Sequence, residues 1–439
     1  MTPMERSSEI SGFYRLSVAE RRARLRAWAE LSDAELASFE FPPGIDPALV
    51  DRMIENVVGV FPLPLGVATH FRVNGRDYLV PMAIEEPSVV AAASNSAKVA
   101  RGAGGFAART TDPVMIGQVQ ILDVPDPEAA RLRILAERPR LLAQANEKDP
   151  MLVKFGGGAR DLEVRLLPSR RGPMVVVHLL VDARDAGGMN AVNTMCEALA
   201  PTLAHLAGGR SVLRIISNLA IFRLARASAT FPAAALATGT QSGPEVVEAI
   251  LDAFELARVD PFRCATHNKG IMNGISAVVL ATGNDTRAME SGAHSYAAYR
   301  AAADGAVLRP LSTYEKDRSG DLVATIELPV AVGLIGGATA VHPTARAAVK
   351  LLGVTSAAEL AGLLAAVGLA QNFGALRALA TEGIQRGHME LHARNIAHMA
   401  GARPEETDRV VARLVAEHAI RIDRAQEILR QLRAENAPP

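Results

Sequence analysis

An α+β chain is predicted, with a compact α/β module set inside a larger, mostly helical domain and a small helical segment at the carboxyl end. Three observations carry this. The chain has 439 residues with 49% apolar and 21% charged content, enough for large buried cores and two or three domains. Residues 113–218 read strand, helix, strand, strand, helix, strand, whereas both flanks are rich in helical pattern. From about residue 385 apolar side chains recur at helical spacing, first Val411, Leu414, Val415 and His418, then Ala425, Ile428, Leu429 and Leu432.

The elements follow in order. Ser17 with Glu20 and Ser32 with Glu35 have the spacing of capping boxes, and Leu25, Trp28 and Ala29 share a helical face suited to packing. Pro and Gly punctuate the next stretch until an alternating strand over 71–80, where Asn74-Gly75 signals a hairpin. An Ala-rich helix is expected over 87–101. Within 113–218 the strands are VMIGQVQILDV, LEVRLL, PMVVVHLLVDA and SVLRIIS, with helices over 127–146 and from about Asn190. The longest apolar stretch, 323–341, is broken by Glu327, Pro329 and several glycines and reads as buried strand and loop, not a membrane span.

Composition narrows the function. Lys plus Arg and Asp plus Glu balance at 47 each, and no basic block is long enough to attract nucleic acid, so the scattered arginines read as a solvated surface. Cys196 and Cys264 are far apart and outside any C-x-x-C spacing, which argues against a disulfide framework or a zinc knuckle. MTPMERSSEI lacks the apolar core of a signal peptide, and the expected location is a reducing cytoplasm.

Residues 263–287, RCATHNKGIMNGISAVVLATGNDTR, concentrate the chemistry. Lys269 and Asp285 stand in two polar, glycine-bearing segments flanking a shorter apolar one, the pattern of a cation and its carboxylate partner carried into a site, and equally of a structural buried ion pair. Glu86 precedes Pro87 at the expected helix start, where the helix field favours an anion; capping suffices for its neighbour Glu85. A second carboxylate close to Asp285 would have its pKa raised, so that Glu86 could hold and donate a proton. In HMELH the glutamate stands two residues from each histidine, so this is not the H-E-x-x-H zinc motif and no metal is expected. His388, directly after Arg386-Gly387, suits an acid delivered by a moving segment; His392 suits a structural role.

No G-x-G-x-x-G follows a strand and no P-loop is present, so a dinucleotide needs another kind of site. DAGGMNAVNT fits one: Gly187 and Gly188 let backbone approach a pyrophosphate, and Asn190 could cap the following helix, whose N-terminus offers donors. An ordinary turn explains any one of these glycine runs as well.

Taken together, ENVVGVFPLPLGVA, EEPSVVAAAS, DARDAGGMNAVNTM, THNKGIMNGI, TGNDTRA, AVGLIGGAT, GLAQNFG and GIQRGHMELHARN make the chain resemble the soluble bacterial (class II) hydroxymethylglutaryl-CoA reductases, nearest to the degradative, NADH-linked type, over almost its whole length. The resemblance implies a four-residue catalytic site. Lys269 would face the reacting oxygen, Asp285 would keep Lys269 charged and oriented, Glu86 would protonate the oxygen as aldehyde becomes alcohol, and His388 would protonate the departing CoA thiolate. It implies Arg263, Ser88 and Asn273 as holders of the hydroxymethylglutaryl group, with Glu55, Asn218 and Gln371 nearby; a guanidinium fork such as that of Arg263 suits a free carboxylate. For the nicotinamide cofactor it points to Asp185, Gly187, Gly188 and Asn190, to Gly336 and Gly337, and to Asp149 as acceptor for a ribose hydroxyl, which predicts NAD over NADP; Lys148 beside it would soften that preference.

The expected domains are 1–112 with 218–384 for the CoA thioester, an inserted ferredoxin-like domain over 113–217 for NAD, and a flap over 385–439 carrying His388. The expected assembly is a homodimer with sites at its interface, with higher assembly left open, and no nucleic acid or membrane partner. Mevalonate, CoA and two NAD would be converted to hydroxymethylglutaryl-CoA and two NADH in mevalonate catabolism. Another CoA-thioester enzyme on the same scaffold, a lyase or an aldehyde-releasing reductase, or a non-catalytic CoA-binding dimer, are the alternatives. Two departures from the family pattern stand out: a longer loop at 296–314, and Gly187 where methionine is usual.

Overall fold

The computed structural model describes residues 8–336, 339, 341–381 and 384–435. They divide into two compact units, one ending at Pro64 and the other beginning at Leu65. In the first, both capping boxes form, at Ser17 with Glu20 and at Ser32 with Glu35. The side chain buried from the Val18–Ala29 helix is Arg21, not the expected apolar face. Its guanidinium meets the Asp51 carboxylate and the carbonyls of Tyr14 and Val57, which satisfies the charge inside the unit.

The second unit opens with the expected hairpin: β1 (Leu65–Val73) and β2 (Arg76–Ala83) pair antiparallel around Asn74-Gly75, both at positive φ. With β3 (Phe106–Thr110), β8 (Leu224–Phe231), β9 (Ser312–Lys316) and β10 (Leu322–Pro329) they make a six-stranded sheet in the order β2-β1-β3-β8-β10-β9. This part is therefore less purely helical than expected. Its strands are separated in sequence by helices and by the insertion, so their common sheet left no local trace.

The Ala357–Ala380 helix packs on β3, β8 and β10 and on the helices Val89–Arg101 and Pro261–Ala281. It is the helix long and apolar enough to cross a bilayer among the described residues, and 67% of that apolar window is buried in the protein. Phe373 from this helix stacks on Phe231 of β8, centroids 3.6 Å apart, at the centre of the core.

The chain leaves the large sheet after β3 and returns at β8. Thr111 staples the crossing: its N–H donates to Leu224 O at 2.9 Å, and its hydroxyl accepts from Leu224 N at 2.8 Å. Between these points β4 (Val114–Leu122), β5 (Gly158–Leu167), β6 (Met174–Asp182) and β7 (Arg210–Ser217) form an antiparallel sheet in the order β5-β6-β4-β7, the ferredoxin-like arrangement. Val175, Val177, Leu179 and Val181 alternate onto one face and meet Met195, Leu199 and Leu203 of the Met189–Ala207 helix in a separate core. The single helix expected over 127–146 is broken into Pro127–Ala136 and Arg138–Asn146, because Pro139 has no N–H to continue the ladder.

Helices Ile384–Met399, Pro404–Ala416 and Ile422–Glu435 bury a third small core that includes Leu414, Ile428 and Leu432. His418 lies beyond the second of these helices at φ 49° rather than on its apolar face.

The turn from β6 into the Met189–Ala207 helix is sterically tight. Gly188 has φ 90°, and a Cβ there would lie 2.8 Å from Ala183 Cβ; a Cβ on Gly187 would meet only the mobile end of Met189 at 3.3 Å. Gly188→Ala should therefore destabilise by about 1–3 kcal/mol. Gly187→Ala should be neutral or stabilising by up to about 1 kcal/mol. Urea midpoints of the two variants check the difference; equal shifts would show that φ and contact at Gly188 are not limiting.

Candidate active site

The Pro261–Ala281 helix is two-sided. Ile271, Ile275 and Val278 face the core, while Lys269, Asn273 and Ser276 follow one another at i, i+4 and i+7 on the outer side. Glu86, between β2 and the next helix, reaches this stripe from across the fold. Lys269 Nζ donates to Glu86 Oε2 at 3.0 Å, and Asn273 Nδ2 donates to the same oxygen at 3.3 Å.

The partner of Lys269 is thus Glu86 rather than Asp285, and the pair is not a buried one, since the side chains are 61% and 35% exposed. Asp285 instead caps the Thr286–Ala303 helix, accepting from the N–H groups of Arg287 and Ala288, and its carboxylate pairs with Arg287 at 3.3 Å. The physical reason is helix length. Lys269 lies mid-helix, 12 residues before its end, and at 1.5 Å per residue that separates it by about 18 Å of helix axis from the turn holding Asp285. The apolar segment between the two is the second half of that same helix. A carboxylate pair of Glu86 with Asp285 is likewise not what forms: Glu86 meets an ammonium and an amide.

The Val89–Arg101 helix begins two residues later than expected, with Ser88 as its N-cap at φ 74° and without a side-chain cap, so Glu85 and Glu86 precede the helix and do not cap it. A serine in the left-handed region is strained and is held there by its surroundings. Gln371 is buried against the Lys269 helix, its Cβ in the space a side chain on Gly274 would need, and its buried Oε1 has no hydrogen-bond partner among the described residues. Arg263 is half-buried in the first turn of that helix. Asn218 is exposed, and its carbonyl lies against Gly292. Glu55 belongs to the amino-terminal unit and is exposed there.

The other expected positions fall around the small sheet. Asp149 accepts from Leu152 N at 2.9 Å as N-cap of a short helix, Pro150–Lys154. Gly188, not Asn190, is the N-cap of Met189–Ala207; no side chain caps that first turn, and Asn190 is exposed in it. Asp185 gives one carboxylate oxygen to Ala357 N at 2.7 Å, at the start of the core helix. Gly336 has φ 80° and open space around it. Gly337 lies outside the described residues. His388 is within the Ile384–Met399 helix, but its side chain lies outside the described residues; His392 on the same helix is exposed. Among the described residues no group of three or more His, Cys, Asp or Glu side chains is arranged to hold a metal ion. Cys196 and Cys264 are free and buried, and burial pushes both thiols up, to about 12 and about 11.

Three features escaped the sequence reading. First, Glu290 extends the Lys269 stripe: Ser276 donates to its Oε1, and His294 Nε2 is 3.1 Å from its Oε2. Burial pushes the Glu290 carboxyl up, but the His294 and Ser276 hydrogen bonds and the Lys269 charge outweigh it and hold it below its usual range. The i, i+4 spacing of Glu290 and His294 was a readable signal. Second, His267, two residues before Lys269, lies in a buried network: His267 Nε2 is 2.6 Å from Ser312 Oγ, while Ser312 and Tyr314 both donate to Asn372 Oδ1. Third, Arg223 is buried, an exception to the solvated arginines expected, and among the described residues its guanidinium donates to backbone carbonyls alone.

Comparison with known proteins identifies the family. Residues 17–393 match the family model described as hydroxymethylglutaryl-coenzyme A reductase. The 3-hydroxy-3-methylglutaryl-coenzyme A reductase of Archaeoglobus fulgidus is 56% identical over 428 residues, covering 98% of this chain and 95% of the relative. A probable reductase of the same name from Borreliella burgdorferi is 32% identical over 97% of this chain and 96% of its own length. Among solved structures, the class II enzyme of Streptococcus pneumoniae bound to NADPH in open conformations has a TM-score of 0.74 at 42% identity, covering 95% of this chain and all of that one.

The His267 network predicts a pH dependence. Because Ser312 donates onward to Asn372, His267 carries its proton on Nε2, and its buried Nδ1 has no partner among the described residues. Burial, helped by the Arg263 charge, pushes this imidazole down to about 3. The unfolded chain binds a proton near pH 6.5 and the folded one does not, so stability falls as pH drops below about 6.5, by at most about 1.4 kcal/mol per unit. His267→Gln keeps a donor for Ser312 without the titration. Its denaturation midpoint should fall less steeply than the parent's from about pH 6.5 to about pH 4; parallel slopes would assign the acid sensitivity to other groups.

Proposed function

The chain belongs to the hydroxymethylglutaryl-coenzyme A reductase family, an oxidoreductase family, and from that premise we propose that it interconverts mevalonate, CoA and two NAD with hydroxymethylglutaryl-CoA and two NADH. The observation that carries this reading is the Lys269 ammonium 3.0 Å from Glu86, with Asn273 on the same carboxylate. Reduction of a thioester to an alcohol develops negative charge on one oxygen, first as the carbonyl becomes tetrahedral and again as the aldehyde is reduced. A cation facing that oxygen stabilises both steps. The partial exposure of Lys269 is compatible with this role, since it leaves the ammonium accessible to a ligand.

In this reading Lys269 stabilises the oxyanion and Glu86 relays the proton that makes it an alcohol, the two acids sharing one hydrogen-bonded contact. Asp285, committed to its helix cap, would act on the site through a second protomer or through its turn. His388 would protonate the CoA thiolate and so prevent its return to the aldehyde. Arg263, Ser88, Asn273 and Gln371 would hold the acyl group, with Asn218 as a further candidate. The unpartnered Gln371 Oε1 supports a ligand there, because a buried acceptor without a donor costs free energy.

When bound, the nicotinamide dinucleotide supplies two hydrides. The residues fit its pyrophosphate: Gly188 opens the 19-residue Met189–Ala207 helix, whose first turn is uncapped and suited to an anion. Asp149 would accept a ribose hydroxyl and disfavour the phosphate of NADP. NADP is the second reading, favoured by the Streptococcus pneumoniae relative that binds NADPH. Exposed Leu256, Val259 and Phe262, where two consecutive helices meet, support a homodimer that covers them. Two buried, unpaired cysteines support a cytoplasmic setting.

The test is mevalonate- and CoA-dependent reduction of NAD, followed by nicotinamide absorbance with NADP in parallel. Two reduced nicotinamides per mevalonate are expected, and one per thioester would point to an aldehyde-releasing enzyme instead. Lys269→Met should lower kcat by about a hundred- to a thousandfold with an unchanged melting temperature. Activity within about threefold of the parent would overturn the role of Lys269. Asp149→Ala should shift the ratio of NAD to NADP efficiency toward NADP by about tenfold; an unchanged ratio would remove Asp149 as the selector.

A further inference from the structure

Arg223 stands just before β8, 4% exposed, and among the described residues no side-chain acceptor is in reach of a hydrogen bond. One arm of its guanidinium donates to the carbonyls of Ala186, at 3.1 Å, and Gly187, at 3.3 Å; the other donates to the carbonyl of Val332. Burial of this cation is opposed by desolvation and offset in part by the charges of Asp182 and Asp185, while its hydrogen bonds go to the three backbone carbonyls and hold them. They belong to two segments far apart in sequence, the turn after β6 and the stretch after β10.

These segments meet backbone to backbone. Leu334 N donates to Asp185 O at 2.9 Å, Ala186 and Ile335 form a parallel bridge, and a Cβ on Gly333 would lie 2.5 Å from Gly187 N. On its other side the stretch is tied to the turn that carries Asp285: Gly333 N donates to Asn284 Oδ1 at 2.8 Å. A trans peptide sets its N–H opposite its C=O. Turning the carbonyls of Ala186 and Gly187 toward Arg223 therefore directs the N–H groups of Gly187 and Gly188 away from it. Neither N–H donates to another described residue.

We propose that Arg223 is a positioning residue for nicotinamide-dinucleotide binding: it orients the Gly187 and Gly188 amides toward the ligand's pyrophosphate and, through Val332, Gly333 and Asn284, locks that turn to the one bearing Asp285. This rests on the nicotinamide reading above and adds to it the residue that sets the geometry. The planar fork is needed because it spans two segments at once, which the single ammonium of lysine does not. The face that holds the acyl group is not part of this junction.

The experiment titrates NADH and NADPH into the full-length protein by nicotinamide fluorescence, without CoA thioester, and then measures KM for each substrate. Arg223→Met should raise the dinucleotide Kd and KM by about tenfold or more while the KM for hydroxymethylglutaryl-CoA stays within about twofold. Arg223→Lys should recover part of the loss. Because a buried arginine can be needed for folding, thermal melts accompany each variant, and Asn284→Ala tests the half-buried far end of the same junction, with an expected rise of about threefold in dinucleotide Kd. Folded variants whose dinucleotide Kd equals that of the parent, or a thioester KM that rises in step, would overturn the positioning role. A parent protein that binds neither nucleotide would instead overturn the nicotinamide reading itself, and the inference with it.

Discussion

The ammonium of Lys269 against the carboxylate of Glu86 is the contact that the rest of the molecule has to hold in place. It joins residues 183 positions apart, one in the middle of a helix and one just beyond a strand, and it leaves the cation partly open to solvent. An ion pair in that half-exposed setting contributes little stability by itself. Its geometry has to be imposed by the scaffold. The large sheet brings Glu86 to the end of β2, and the apolar face of the Pro261–Ala281 helix fixes the rotation at which Lys269 points outward.

That scaffold is built in layers of decreasing tolerance. The Ala357–Ala380 helix, with Leu363, Leu364, Val367 and Phe373 buried, fills the space between the sheet and the Lys269 helix. Each such side chain removed from water contributes on the order of 1.5–3 kcal/mol, which makes the core the source of stability and the polar stripe its beneficiary. The buried network of His267, Ser312, Tyr314 and Asn372 adds direction that apolar packing lacks, since its bonds are satisfied in one helix position only.

The small domain is a separate core joined to this arrangement by backbone contacts and by polar side chains. Thr111 fastens its entry and exit, and Arg223 with Asn284 fastens its glycine turn to the strand and helix ends of the larger part. A module attached this way can keep its own fold while its ligand-facing turn is aligned from outside.

What could be read directly from the sequence was whatever depends on neighbours along the chain: the capping boxes at Ser17 and Ser32, the hairpin at Asn74-Gly75, the four strands of the ferredoxin-like module, and the types of residue gathered in 263–287. The same reading went astray wherever a partner came from far away. It joined Lys269 to Asp285, which a continuous helix keeps apart, and it took Arg21 and Arg223 for surface. It also passed over Glu290, whose importance lies in meeting Ser276. Periodicity, caps and turns are short-range consequences of backbone geometry, so sequence alone determined them. Which carboxylate meets a cation, and which arginine is worth burying, follow from the packing of distant segments and the desolvation it imposes, and only the tertiary structure decided those.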